Sequence, residues 1–402
     1  MTVQMAGLPP DRRKYSWSAW LFLLALQACA DVTGTGGSIT VLRQPTHAVV
    51  NQVLSPPIEV YAEDGGGQPA SGSATIAISP NPCEWPLGGT TTAPFVDGHA
   101  TFADLTLGQV AQGYVLEVQW DPNTAVTAPI DVASAGSVGP LTHANTLCMK
   151  PNEQKDAESL SYVAEEGAFW LADDDEPSIF RTSVSGEYLS RFTADSIARL
   201  LPTAGNCDDG DNDPTTNCSY LGELEHVTHD PVHRLLYVLN TVNDEAADPV
   251  EDRPAVYQFR REGCTGCLTP VGWQPLVDVR NVGGLVAIDG ELHVALGRAL
   301  YRYDFATNVL LNVDELGDPL PPAFTATGSI RALSYDGTDL WLLLSSVEVV
   351  QVEWTTGVEV ARYDIAPFGL QVPKGLQRVG NLLYLLEGAP PNPILVVALP
   401  TP

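Results

Sequence analysis

The chain has 402 residues and carries 49 Asp and Glu against 20 Lys and Arg, a formal net charge of −29 at pH 7. So acidic a surface repels nucleic acid and anionic lipid headgroups and favours cations or basic partners, which excludes a nucleic-acid-binding role. A hydrophobic fraction of 44 % over this length is enough for two cores of ordinary size.

At the N-terminus, Arg12, Arg13 and Lys14 precede an apolar run, Trp17 to Ala28, that is too short to cross a bilayer as a mature helix and has the form of a signal peptide. The run closes with Leu26-Gln27-Ala28-Cys29, which resembles the lipobox of bacterial lipoproteins. The resemblance implies that residues 1–28 are removed, that Cys29 is lipidated, and that residues 29–38 form a Gly/Thr-rich tether. It places the chain in the bacterial cell envelope, with Ala30 in place of Asp implying the outer membrane or cell surface. No other segment is apolar over the length of a spanning helix, so attachment to the membrane is expected through acyl chains alone. Loss of Arg12, Arg13, Lys14 and Asp11 carries the formal charge from −29 to −31.

Residues 39–133 alternate with a period of two: Ile39 and Val41, Ile58 and Val60, Ala74, Ile76 and Ile78, then Tyr114, Leu116, Val118 and Trp120. Half-buried strands with Gly- and Asp-rich turns at 63–72 and 96–105 predict a β-sandwich. The QP, SPP, DGHATF and GYVL elements, in that order, resemble the bacterial Ig-like repeats of surface proteins and adhesins. That resemblance implies a spacer or binding module. Residues 134–140, SAGSVGP, read as a linker.

From 141 to 402 one pattern returns. The stretch from Glu158 to Phe192 contains four short strands separated by turn signals. Copies begin again near Leu224, Gly284, Ile330 and Lys374, and Glu225 stands fifteen residues before Asn240 just as Glu158 stands fifteen before Asp173. Units of this size, each an incomplete core until stacked on a neighbour, predict a β-propeller. Five blades are expected, and the inserts at 193–222 and 241–254 leave room for a sixth. The last copy lacks an outer strand, so residues 141–149 are expected to supply it and close the ring. The repeats resemble the loose propeller families that include NHL-type repeats and the phytase-like and SdiA-regulated groups.

Propellers bind ligands where loops from several blades converge, and the residues expected at the centre, where the first strands begin, are Glu158, Glu225, Asn281, Arg331 and Lys374. Two acids, one amide and two bases could hold a polar ligand or neutralise one another. Glu158 and Glu225 are similar to the metal-holding acids of lactonase-like calcium propellers, but Arg331 and Lys374 at the matching positions oppose a divalent cation. Asp209, Asp211 and Asp213 have the alternate spacing of a calcium loop, although Pro214 and Tyr220 stand where an EF-hand needs Gly and Glu. The acidic run Asp173–Glu176 reads as a solvated turn. With Cys29 lipidated, six cysteines in an oxidising compartment suggest the pairs Cys207–Cys218, Cys264–Cys267 and Cys83–Cys148, the last bridging the two domains. A zinc site at Cys264 and Cys267 is the alternative, lacking a second half. His226, His229 and His233 have ligand-like spacing, but Asp230-Pro231 is a turn, which puts His226 and His229 on opposite strand faces. Trp170, Tyr237, Trp341 and Tyr384 recur in second strands and read as core.

The sequence carries no GxSxG elbow, Walker loop, dinucleotide fingerprint or HExxH. The expectation is an all-β, monomeric, lipid-anchored binding module for a protein or glycan of the envelope, with Ca2+ as a candidate structural ion. The alternatives are a calcium-dependent hydrolase of a lactone, ester or phosphate ester and a structural envelope component without a discrete ligand.

Overall fold

The computed structural model describes residues 36–81, 83–135, 141–149, 156–174, 177–193, 224–240, 255–261, 268–275, 282–311, 324–388 and 392–400. Cys29 and the leader, the linker after 135, Asp209, Asp211, Asp213, Cys207, Cys218, Cys264, Cys267 and Asn281 lie outside them. The described residues are all-β apart from one 3-10 turn, Ala366–Phe368. None of their helices is long and apolar enough to cross a membrane.

The N-terminal unit is a β-sandwich. Ser38–Arg43, Ile58–Glu63 and His99–Phe102 form one sheet, and Asn123–Val126, Leu116–Trp120, Ser73–Ile78 and Thr92–Pro94 form another. A third sheet joins His47–Val49, Ile130–Ala133 and Ala111–Tyr114. Alternation does what the sequence says it should: Ile58, Val60 and Ala62 point inward, as do Ala74, Ile76 and Ile78 from the facing sheet, and all six share one core. The shorter strands at 92–94, 99–102, 123–126 and 130–133 were not separable from turns by periodicity, because four residues or fewer carry too few alternations.

Among the described residues five antiparallel blades follow, four of them four-stranded and the third with a fifth short strand. Blade one is Ala157–Val163, Ala168–Asp173, Ser178–Ser183 and Tyr188–Thr193; blade two is Leu224–Asp230, Leu235–Asn240, Ala255–Arg260 and Thr269–Pro275. Blade three is Val282–Ile288, Glu291–Leu296, Ala299–Asp304 and Val309–Leu311, with Phe324–Thr325 also paired to its third strand. Blade four is Ile330–Tyr335, Asp339–Leu344, Glu348–Glu353 and Val358–Asp364. Blade five is composite: Pro373–Val379, Leu382–Glu387 and Ile394–Ala398 are completed by Thr142–Leu147, which pairs with Ile394–Ala398. The inner strands neighbour one another in the closed order one, two, three, four, five and back to one.

The fifteen-residue interval seen in the sequence is a pairing register. Ala157 faces Asp173 and Leu224 faces Asn240, and both inner strands skip the next residue in a bulge. All five inner strands do this at their second residue: Glu158, Glu225, Gly283, Arg331 and Lys374. Blade three's member is therefore Gly283, two residues beyond Asn281. A β-carbon at Gly283 would run into the Ile330 carbonyl, so blade four's close approach permits no side chain there.

One apolar core fills each blade junction, and the core between blades four and five is continuous with that of the sandwich. Ile365, Phe368 and Leu370, around the 3-10 turn between those blades, pack into the cluster that holds Val50, Leu54 and Leu107 of the sandwich. Ala135 N–H donates to the Pro367 carbonyl at 2.7 Å and Thr146 Oγ1 to the Val110 carbonyl at 3.1 Å. Gly369, with φ +91°, leaves no space for a side chain against Val50 Cγ2, 2.8 Å from where its β-carbon would stand. A disulfide between Cys83 and Cys148, 65 residues apart, ties the sandwich to the segment that closes the ring.

Candidate functional site

Each inner strand shows its hub-side edge to the next blade rather than pairing with it as a sheet, so the outward N–H groups need other acceptors. Side chains of the preceding blade supply them. Ser161 Oγ of blade one accepts from His229 N–H of blade two at 3.0 Å, and Thr228 Oγ1 of blade two accepts from Ala287 N–H of blade three at 3.3 Å. Ser334 Oγ of blade four accepts from Arg378 N–H of blade five at 3.0 Å, and Gln377 Oε1 of blade five accepts from Tyr162 N–H of blade one at 3.1 Å. Ser159 Oγ adds a second such bond, from Val227 N–H at 2.9 Å. The signal for these residues is present in the sequence as a polar residue at the fifth place of four inner strands, but a Ser, Thr or Gln among other polar residues does not announce itself as a cap.

The two mouths of the hub differ. Where the inner strands begin, four of the five residues expected at the centre stand at equivalent places. Lys374 forms an ion pair with Glu158, closing blade five onto blade one. Burial is the largest influence on Glu158 and raises it to about 7; the Lys374 ammonium offsets part of this, and Asp174 and Asp156 add to it. Burial works against the charge on Lys374, but the bond to Glu158 and the nearby carboxylates outweigh it and hold Lys374 above its ordinary value. Glu225 is 3.7 Å from the Nε2 of buried His226, which burial keeps neutral and whose ring nitrogen lies 3.3 Å from the Val282 carbonyl. Arg331 is exposed at the rim. Asp156, Glu158 and Asp174 can bring one carboxylate oxygen each within 4.8 Å of the others. All three belong to blade one, whereas the lactonase-like comparison draws its acids from different blades.

At the opposite mouth, framed by the hairpin turns between first and second strands, a cavity of about 680 Å³ opens along the hub. All five blades line it with the far halves of their inner strands, and Glu158, Glu225, Arg331 and Lys374 are not among the lining residues. The centre expected from the sequence is thus at the other end of the hub from the cavity. The charged residues occupy the bulges at the second place of the inner strands, and the cavity is lined from the fourth place of those strands onward.

Two inter-blade clamps stiffen this mouth. Glu166, in blade one's hairpin turn, accepts from Trp170 Nε1 at 3.2 Å and from Arg181 at 2.8 and 3.0 Å, and it also pairs with Arg261 of blade two. Arg261 donates onward to His229 Nε2 at 2.9 Å. Burial first, and the Arg261 guanidinium second, hold His229 down at about 4, so its neutral ring is the acceptor. In blade four, Asp336 accepts from Trp341 Nε1 at 2.8 Å and pairs with Arg378 of blade five, whose guanidinium lies 5.2 Å above the Trp341 ring. Trp170, Tyr237, Trp341 and Tyr384 are buried, at the third place of each second strand; blade three has buried His293 there. His226 and His229 face opposite ways along their strand, with His233 past the turn and bonded to Asp230 at 2.7 Å.

The lining hydroxyls of Ser161, Thr228 and Ser334 each accept from a neighbouring blade's backbone N–H, His229 is engaged with Arg261, and the Tyr335 hydroxyl lies 3.4 Å from the Asp289 carboxylate oxygens.

No protein-family model matches the chain, and no curated protein matches it. Among solved structures, it is similar to glutaminyl cyclase of Myxococcus xanthus at 12 % identity and a TM-score of 0.42, covering 64 % of this chain and 97 % of that one. A protein of unknown function from Bacteroides thetaiotaomicron is similar at 10 % identity and 0.34, over 90 % and 98 % of the two chains. The Pan2 WD40 domain of Neurospora crassa is similar at 8 % identity and 0.32, over 80 % and 81 %. The five-bladed ring itself rests on the chain's own strand order and pairing.

Proposed function

We propose that the protein is a lipid-anchored binding module of the bacterial envelope, tethered through Cys29, in which an Ig-like repeat carries a propeller that takes its ligand in the hairpin-side cavity. One observation carries this reading: a cavity of about 680 Å³, lined by all five blades, has the hydroxyls of Ser161, Thr228 and Ser334 committed to holding the blades together. The volume is that of a small-molecule or side-chain site, and the chemistry around it recognises rather than reacts. The rim residue Val232 lines the cavity and is 60 % exposed, so Val232→Trp obstructs the mouth without disturbing the core. Calorimetry of the full chain with small neutral, cationic and anionic glycans and peptides should reveal a ligand whose binding Val232→Trp removes. A ligand bound equally by both proteins would overturn the cavity as the site, and the absence of any ligand would favour a purely structural envelope component.

A second reading, calcium at the strand-start mouth, has the convergence of Asp156, Glu158 and Asp174 in its favour. Calcium titration with Glu158→Gln tests it. Binding lost with that change would put a metal-dependent hydrolase first, and no calcium heat would remove that reading for this mouth.

A further inference from the structure

Blade three breaks the capping ring. Counting along each inner strand, the fifth residues are Ser161, Thr228, Val286, Ser334 and Gln377, and the sixth are Tyr162, His229, Ala287, Tyr335 and Arg378. The register is the same in every blade, since the fifth residues face Trp170, Tyr237, His293, Trp341 and Tyr384 across the hairpin. At four junctions the fifth side chain accepts from the sixth N–H of the next blade. At the junction of blades three and four the fifth residue is Val286, which has no acceptor, so the Tyr335 N–H lacks the cap its four counterparts have. Val286 and Tyr335 both line the cavity, so the uncapped junction borders it.

Resting on the cavity as the ligand site, we infer that the Tyr335 N–H is the anchoring donor for a neutral, hydroxyl-rich ligand, the end of a short oligosaccharide. The surroundings select that class. Among the described lining residues Arg378 is held by Asp336 and stacked on Trp341, and Glu165, Asp289 and Asp336 are acids, so an anion meets no uncommitted arginine or lysine there. Asp289, on the rim, is exposed and, among the described residues, is met by the Tyr335 hydroxyl, 3.4 Å from each oxygen, which leaves it able to accept from a ligand hydroxyl. A bare ammonium has nothing to give the Tyr335 N–H, whereas one sugar hydroxyl can accept from that N–H while its neighbour donates to Asp289. Tyr162 and Tyr335 contribute aromatic surface for the C–H face of a ring.

The test restores the ring's symmetry. Val286→Thr supplies blade three with the hydroxyl that Thr228 supplies in blade two. Full chain and variant are titrated with maltotriose, cellotriose and chitotriose, with spermidine and acetylated, amidated trialanine alongside, and amide exchange is followed at Tyr162, His229, Ala287, Tyr335 and Arg378. Expected are binding of a neutral trisaccharide, an affinity about tenfold lower in Val286→Thr, and a Tyr335 amide that exchanges fastest of the five and slows when the trisaccharide is bound. No trisaccharide binding, or binding of spermidine or the peptide in its place, would overturn the ligand class. A Tyr335 amide as protected as its counterparts in the free protein would overturn the anchor, even should Val286→Thr not fold. Binding abolished by Val232→Trp yet unchanged in Val286→Thr would sink the anchor alone; binding that survives Val232→Trp would sink the cavity itself.

Discussion

The two mouths of the propeller hub are built from the same five strands and have been put to different uses. At the strand-start mouth the charges find one another: Glu158 takes Lys374 and Glu225 lies beside His226, while the ring is closed by the pairing of Thr142–Leu147 with Ile394–Ala398. At the hairpin mouth the charges are drawn back into the blade junctions, Glu166 with two arginines and Asp336 with one, and space is left between them. The lesson is that an ionisable residue recurring at one repeat position marks where blades meet. The cavity lies where the inner strands carry Ser161, Thr228, Val286, Ser334 and Gln377.

The largest expected effect falls on the hairpin mouth. Glu166→Ala leaves Arg261, whose side chain is 3 % exposed, without its main counter-charge, and should cost about 4 kcal/mol in urea unfolding. Lys374→Met at the other mouth should cost less, about 3 kcal/mol, because Lys374 is 30 % exposed and Glu158 can take up a proton; adding Glu158→Gln should recover most of the loss. If Lys374→Met leaves stability unchanged, the strand-start mouth is not a clamp and the contrast between the mouths fails.

Acid separates His229 from Glu158 by sign. His229 is held at about 4, below its ordinary 6.5, so the unfolded chain takes up a proton first and stability falls as pH drops from about 6.5 to about 4. Glu158, raised to about 7 from 4.5, holds a proton in the folded chain that the unfolded chain lacks, and so contributes increasing stability as pH drops through that range. His226, His293 and His143, also lowered by burial, side with His229. Unfolding measured at pH 7 and pH 4.5 should therefore show net acid destabilisation, reduced by about 2–3 kcal/mol in His229→Gln and enlarged in Glu158→Gln. The smallest effect is that of Val286→Thr, expected to shift stability by under ~1 kcal/mol because the new hydroxyl gains a bond while a buried methyl is lost. Its consequence should be seen in binding.

Much of this fold can be read along the chain. Blade periodicity, the matching pairs Glu158/Asp173 and Glu225/Asn240, and the core aromatics all express local rules, alternation and turn chemistry, which act over a few residues. Asn281 shows where local reading slips: without the bulge, nothing in the sequence says that the equivalent place is Gly283. The acids and arginines of the hairpin mouth were harder still, since Glu166 and Arg261 stand 95 residues apart and meet only because blade two stacks on blade one.

By itself, then, the sequence determined the class of the fold, its repeat and its charge, because side-chain alternation and turns depend on neighbours in the chain. Only the tertiary structure decided which residues meet at each mouth, that the sandwich shares a core with blades four and five, and that one of five equivalent backbone donors goes without its side-chain cap. Each of those depends on which side chains the closed ring brings together, and ring closure joins residues such as Tyr162 and Gln377 across 215 positions of chain.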